Sequence, residues 1–250
     1  MSKLKSMVKS VPALHRLARR TQDVARRLRG IEPLDGFYSA APDNLVVLVK
    51  AFNMQQAERA RGRDLLDGHA YYEFGMFRGF SFWFAEQISR QYAPANFRLH
   101  GFDSFAGLPE PQLAEEAQVF VTGEWSGTYE AVTGYLKLWN ADFSRIRLHQ
   151  GFYSPELFTR LRRTETFAPV SICVIDASLY ESCVPVLEFI REQLVPGSIL
   201  MFHDFNRFGE NNNAGDRRAL IEFEERHPTF GKEHLFDYGS RGVAFRVLSV

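Results

Sequence analysis

The sequence predicts an α/β fold with a seven-stranded, mostly parallel sheet, a C-terminal antiparallel hairpin and helices on both faces. Three observations predict it. Short β-like runs alternate with helical ones through the middle of the chain, which is the signature of parallel strands joined by crossover helices. The last two β-like runs are separated only by Ser240 and Arg241 between Gly239 and Gly242, the spacing of a hairpin. The 250 residues, 45% of them hydrophobic, suffice for one sizeable core.

In chain order, a helical stretch from about Asp43 to Asp67 follows a break at Gly30, Pro33 and Gly36. The strand candidates are AYYEFG near 70, FRLHGF near 97, IRLHQG near 146, VSICVID near 170 and SILMFHD near 198, with EHLFDYG and GVAFRVLSV closing the chain. Helices are expected over Ser81–Tyr92, Tyr129–Trp139, Pro155–Arg163, Ser182–Leu194 and Gly215–Arg226. The segment from about Leu108 to Gly127, containing LPEPQ and TGEWSGT, is too long for an ordinary connection and is a candidate substrate wall.

Composition excludes several classes. Cys173 and Cys183 lack the spacing of a zinc site or a disulfide framework. A formal net charge of zero argues against a general nucleic-acid binder. Charge is nevertheless uneven, for the first 30 residues carry nine Lys or Arg against Asp23 alone. Leu4, Val8, Val11, Leu14, Leu17, Val24 and Leu28 recur there at helical spacing, so residues 1–35 read as a basic amphipathic arm ahead of a single domain over 36–250. Such an arm suits the domain surface, a second subunit or anionic lipid. Without a membrane-length apolar run or a secretory leader, the expected location is the cytoplasm.

Three features point to an adenosine cofactor in a Rossmann-like crevice. In EFGMFRGFS, Glu73 ends a strand, and Gly75 and Gly79 occupy the turn that opens a helix, where backbone can approach a ligand. In LHGFDSF, Asp103 ends the next strand, where an acid can accept ribose hydroxyls. The order of the two, glycine turn and then acid, is the third feature. A dinucleotide site would need a second glycine where Phe77 stands, and that ring would crowd a pyrophosphate. S-adenosylmethionine, which has none, fits better.

The motifs YYEFGMFRGFSFWFAEQ, GFDSFAGLPEP, QGFY, VIDASLYES and GSILMFHDF, in this order over residues 71 to 205, resemble the macrocin and mycinamicin type of sugar O-methyltransferases and the related aminocoumarin enzyme. The resemblance implies the class I methyltransferase fold, S-adenosylmethionine as cofactor, a small-molecule or glycan acceptor and a homo-oligomer. It implies that Glu73, Gly75, Gly79, Ser81, Asp103 and Ser104 surround the cofactor and that Asp176 borders the methyl-transfer crevice. Phe77 and Gly151 of the QGFY turn join the cofactor candidates.

Methyl transfer to an alcohol needs alignment and a proton acceptor. In the family, the third residue of D-x-D-L-Y-E-S and a paired D-D after the fifth strand look like a carboxylate set for a divalent cation. Here those positions are Ser178, His203 and Asp204. That makes a poor magnesium site, although a softer ion on Asp176, His203 and Asp204 remains an alternative. The other reading is a metal-free reaction with His203 as base and Asp176 or Asp204 orienting it. Tyr180, Glu181, His149 and Trp125 are further candidates, Trp125 as a platform for a sugar ring. The competing classes are a cofactor-binding module without activity and a nicotinamide oxidoreductase, the latter disfavoured by Phe77.

Overall fold

The computed structural model describes residues 42–209 and 213–250. The basic arm over 1–35 lies outside the described residues. The elements are α1 Pro42–Ala60, β1 Ala70–Phe74, α2 Phe80–Tyr92, β2 Arg98–Asp103, α3 Ala114–Ala117, α4 Tyr129–Leu138, β3 Ile146–Gln150, α5 Pro155–Thr164, β4 Val170–Ile175, α6 Tyr180–Arg191, β5 Ile199–Phe202, α7 Gly215–Arg226, β6 Gly231–Tyr238 and β7 Gly242–Ser249. They form one seven-stranded sheet in the order β3-β2-β1-β4-β5-β7-β6. Strands β1 to β5 are mutually parallel, and β7 runs antiparallel to both β5 and β6.

All seven expected strands form. The first helix stops at Ala60 rather than near Asp67, because Gly62 takes φ +86 and Asp64 Oδ1 accepts the N–H groups of Leu66 and Asp67, closing a turn. Helix α6 starts at Tyr180 and ends at Arg191, displaced toward the N-terminus from the expected Ser182–Leu194.

Strand alternation divides the core between the two faces. Tyr72, Phe74, Phe102, Ile175 and Phe202 pack with α5, α6 and α7, whereas Tyr71, Leu99, Ile172, Val174 and Met201 pack with α1, α2 and α4. Phe74 and Phe102 stack at 4.5 Å between adjacent strands. Gln55 of α1 donates to the carbonyls of Ser171 (2.8 Å) and Gly197 (3.1 Å), anchoring that helix above β4 and β5.

Near the β3 edge, His100 Nδ1 lies 3.1 Å from His149 Nε2, and His149 stacks on Phe102 at 4.4 Å. Burial holds the His100 imidazolium down to about 3 and that of His149 to about 4, with the neighbouring charges adding to it. Both rings are neutral in the folded protein. In the unfolded chain they protonate near 6.5, so their contribution is complete above that pH and is lost as pH falls toward 4. At pH 5 the loss is about 2 kcal/mol for each ring. The thermal midpoint should therefore fall between pH 7 and pH 5, and replacing both rings (His100→Phe with His149→Phe) should flatten that slope. Equal slopes in both proteins would remove this account.

Candidate functional site

The parallel strands bring the carboxyl ends of β1, β2, β4 and β5 to one edge, and the connections from β1 and β4 leave to opposite sides, the topological position where α/β sheets open a crevice. Three strand ends are laced together there. Gly75 N–H donates to the Phe102 carbonyl (2.9 Å) and Asp176 N–H to the Phe74 carbonyl (2.8 Å). Gly75 takes φ +90, and a Cβ on it would collide with the Asp176 carbonyl oxygen, so no other residue fits. The Asp103 carboxylate accepts the N–H groups of Met76 (2.7 Å), Phe77 (3.0 Å) and Phe105 (2.7 Å).

The bonds from Met76 and Phe77 bear on cofactor class. They spend two N–H groups in the very turn whose backbone donors would have to bind a pyrophosphate. Asp103 retains roughly one of a carboxylate's four lone-pair sites, enough for a ribose hydroxyl. Glu73 stands behind this wall. It accepts from Ser81 Oγ (2.6 Å) and from the Tyr71 hydroxyl, and burial raises its carboxyl to about 7 against those hydrogen bonds.

A cavity of about 430 Å³ opens over this edge. Of the residues expected around the cofactor, Gly75, Phe77, Ser81, Asp103, Ser104, Gly151 and Asp176 line it, together with His203 and Asp204. Glu73 and Gly79 do not reach its surface. Gly79, at φ +83, instead caps α2 and packs against Val132. Tyr180 faces away, its hydroxyl donating to Glu222 (2.5 Å), and His149 is in the core pair described above. The long connection forms one wall with Leu108, Pro109, Phe120 and Trp125. It is pinned by the buried Glu116 of α3, whose Oε1 accepts Tyr180 N–H (2.7 Å) and Gly215 N–H (2.9 Å) at the starts of α6 and α7. Sequence reasoning missed Asp43 and Asn44 of α1, Phe152, Arg207 and the Tyr238–Gly242 turn, all of which line the cavity. The hairpin glycines marked that turn, but nothing local marks the first turn of α1.

At the far side, His203 Nδ1 lies 3.2 Å from Asp176 Oδ2 and 3.4 Å from Asn44 Nδ2. The ring meets Tyr238 edge-on at 5.6 Å, and its buried Nε2 has no partner among the described residues. Burial disfavours the imidazolium, but the Asp176 carboxylate, with Glu73 and Asp204 beyond it, outweighs this and raises the pKa above the ordinary value. Asp204 lies 3.4 Å from Ser178 Oγ, 3.3 Å from Arg241 Nη1 and 3.7 Å from Arg207 Nη1. Burial and the Asp176 charge push its carboxyl up to about 6. Beneath it the buried Asp216 is pushed far above the carboxylate range by burial and by Asp204 and Asp176.

This set fits a divalent cation poorly. Ser178 offers a neutral hydroxyl, His203 Nδ1 faces Asp176, and Asp204 faces two guanidiniums. Among the described residues, the group of three histidines and acids whose ligand atoms all converge within 4.8 Å is His100, His149 and Glu165, none of which lines the cavity. Acidic side chains and an available carboxylate lone pair do fit a cationic nucleoside such as S-adenosylmethionine.

Fold and crevice together define the class I methyltransferase architecture. The sequence pattern of the macrocin O-methyltransferase (TylF) family matches residues 39–245, and the chain belongs to that family and is an O-methyltransferase. No curated protein sequence matches it. Among solved structures, the O-methyltransferase NovP is similar with a TM-score of 0.63 at 18% identity, over 80% of this chain and 79% of that one. CalS11, a TDP-rhamnose 3'-O-methyltransferase of calicheamicin biosynthesis, gives 0.53 at 19%, over 92% and 93%. TomG from Streptomyces achromogenes, in complex with S-adenosylmethionine, gives 0.53 at 14%, over 92% and 89%.

Removing the Asp103 carboxylate leaves three N–H groups without an acceptor, at roughly 1–3 kcal/mol each as an upper range. Asp103→Ala should therefore lower unfolding stability by on the order of 3 kcal/mol and weaken S-adenosylhomocysteine binding. Urea denaturation checks the first part and calorimetric titration the second. A variant with unchanged midpoint and affinity would refute the lacing role.

Proposed function

We propose that the chain transfers the methyl group of S-adenosylmethionine to a hydroxyl of a sugar-containing acceptor without a divalent cation, using the His203–Asp176 pair as proton acceptor. The observation that carries this is the 3.2 Å Nδ1 to Oδ2 contact at the cavity wall, in a site where Ser178 and His203 stand at positions that the family resemblance gives to carboxylates. Bound in the cavity, S-adenosylmethionine supplies an electrophilic methyl on its sulfonium. Gly75, Phe77, Ser81, Asp103, Ser104 and Gly151 form the surface that holds it, Asp103 accepting from the ribose. The acid-rich lining favours a positively charged donor.

The acceptor occupies the remaining space, against the wall that carries Trp125 and Phe152. Both are about half exposed, at 46% and 50%, and present flat apolar faces on which a sugar ring can rest. The hydroxyl's proton passes to the His203–Asp176 pair, through the Asp176 carboxylate that lines the cavity to the Nδ1 it faces. Asp204, with Arg207 and Arg241 about it, holds the local charge balance. The acceptor class rests on family membership and on relatives such as CalS11. Ser178 and His203 also suit a module that binds cofactor without turnover, and the same variants separate the two readings.

We further read the protein as a cytoplasmic homo-oligomer, with the basic arm over 1–35 as contact to a second subunit or to anionic lipid. The arm's charge pattern supports this, and no helix among the described residues is long and apolar enough to cross a membrane.

His203→Gln should lower turnover by about 100-fold while S-adenosylhomocysteine affinity stays within a few-fold. The wild-type rate should rise with pH through the elevated His203 pKa, because the imidazole must be neutral to accept a proton, and this limb should vanish in the variant. Activity should survive exhaustive chelation. Near-normal turnover of the variant, or loss of activity on chelation that magnesium restores, would overturn the mechanism.

A further inference from the structure

We infer that the acceptor carries an anionic group, a carboxylate or phosphate attached to its sugar, which Arg207 and Arg241 bind at the Asp204 side of the cavity. This rests on the methyltransferase reading and deepens it.

Both arginines line the cavity. Neither is used by the proton transfer. Their shared polar partner is a single oxygen, Asp204 Oδ1, at 3.3 Å from Arg241 and 3.7 Å from Arg207. Charge-assisted hydrogen bonds to carboxylates are about 2.7–2.9 Å, so these contacts are loose and, among the described residues, most of the guanidinium donors stay unspent. Among the described residues neither arginine pairs with a second carboxylate. Among the described residues, two guanidiniums thus share one paired carboxylate.

The Arg207 guanidinium is also held in place, and Arg241 is fixed at its backbone. The Arg207 guanidinium lies over the Phe120 ring at 4.9 Å, which fixes its plane. Arg241 sits in the β6–β7 turn, and its carbonyl accepts Asn206 N–H at 2.9 Å, so the two arginine-bearing loops are tied together. Planar forks fixed in this way suit bidentate recognition of anionic oxygens, whereas a neutral hydroxyl gains little from them. Of the other acids of the wall, Asp103 is engaged with three backbone N–H groups and Asp176 with His203, while Asp43 of α1 stands near Gly239 at the other end of the turn.

The test titrates the full-length protein, saturated with S-adenosylhomocysteine, with glucuronate, glucose 1-phosphate and glucose in parallel. Either or both acidic sugars should bind at least about tenfold tighter than glucose, and the tighter of the two identifies the anion. Arg207→Gln and Arg241→Gln should each reduce that preference, and the double variant should abolish it, with S-adenosylhomocysteine affinity within about twofold of wild type. Equal affinity for glucose and the acidic sugars, no measurable binding of either acidic sugar, or a preference that persists in the double variant would overturn the inference. Failure of S-adenosylhomocysteine to bind the wild-type protein would instead overturn the methyltransferase reading beneath it.

Discussion

The close approach of Gly75 to the Asp176 carbonyl is the constraint on which the crevice depends. It joins the ends of β1 and β4, the two strands whose connections leave to opposite sides of the sheet. Asp103 extends the lacing to β2 through three backbone hydrogen bonds. The cavity floor is thus backbone held by backbone and by one carboxylate, and the side chains above it can vary without opening the fold. Phe77 adopts φ +53 within this frame, an αL conformation that costs about 1 kcal/mol or more for a bulky residue and persists only when its surroundings enforce it. Two of the surrounding bonds, on Met76 N–H and Phe77 N–H, supply that enforcement.

The same frame sets the electrostatics. Burial and the Asp176 charge raise the cost of ionising Asp204, and burial with the Asp204 and Asp176 charges raises that of Asp216. A sheet edge loaded in this way is poorly suited to anionic ligands at its centre and well suited to a sulfonium. Cations of the protein's own relieve part of the load: Arg207 and Arg241 stand beside Asp204, and the imidazole of His203 faces Asp176.

Much of this was legible in the sequence because periodicity and glycine placement are local. The strands, the hairpin around Ser240 and Arg241, and the turn around Gly75 follow from patterns a few residues long. Asp103 was legible as a cavity residue, but its bonds to Met76 and Phe77 join positions 26 and 27 residues away, which no local pattern encodes. His149 read as a site candidate because it precedes Gly151 by two positions, and strand alternation instead turns it into the core against Phe102. The part of α1 that reaches the cavity, Asp43 and Asn44, resembled an ordinary helix start. Its role comes from packing α1 across β4 and β5, an arrangement held by Gln55 far along the same helix.

Ser178 and His203 set the charge at this edge. Ser178 brings a neutral hydroxyl to a place crowded with acids, and His203 brings a group that can be positive. Asp204 meets guanidiniums at 3.3 and 3.7 Å, and Asp176 meets an imidazole at 3.2 Å. Asp176 and Asp204 thus each face a basic side chain of the chain itself, whereas Asp103 is held by backbone N–H groups and the buried Asp216 faces the other acids. Of these basic groups the His203 ring is the one whose charge changes nearest neutral pH, because the guanidiniums stay protonated throughout.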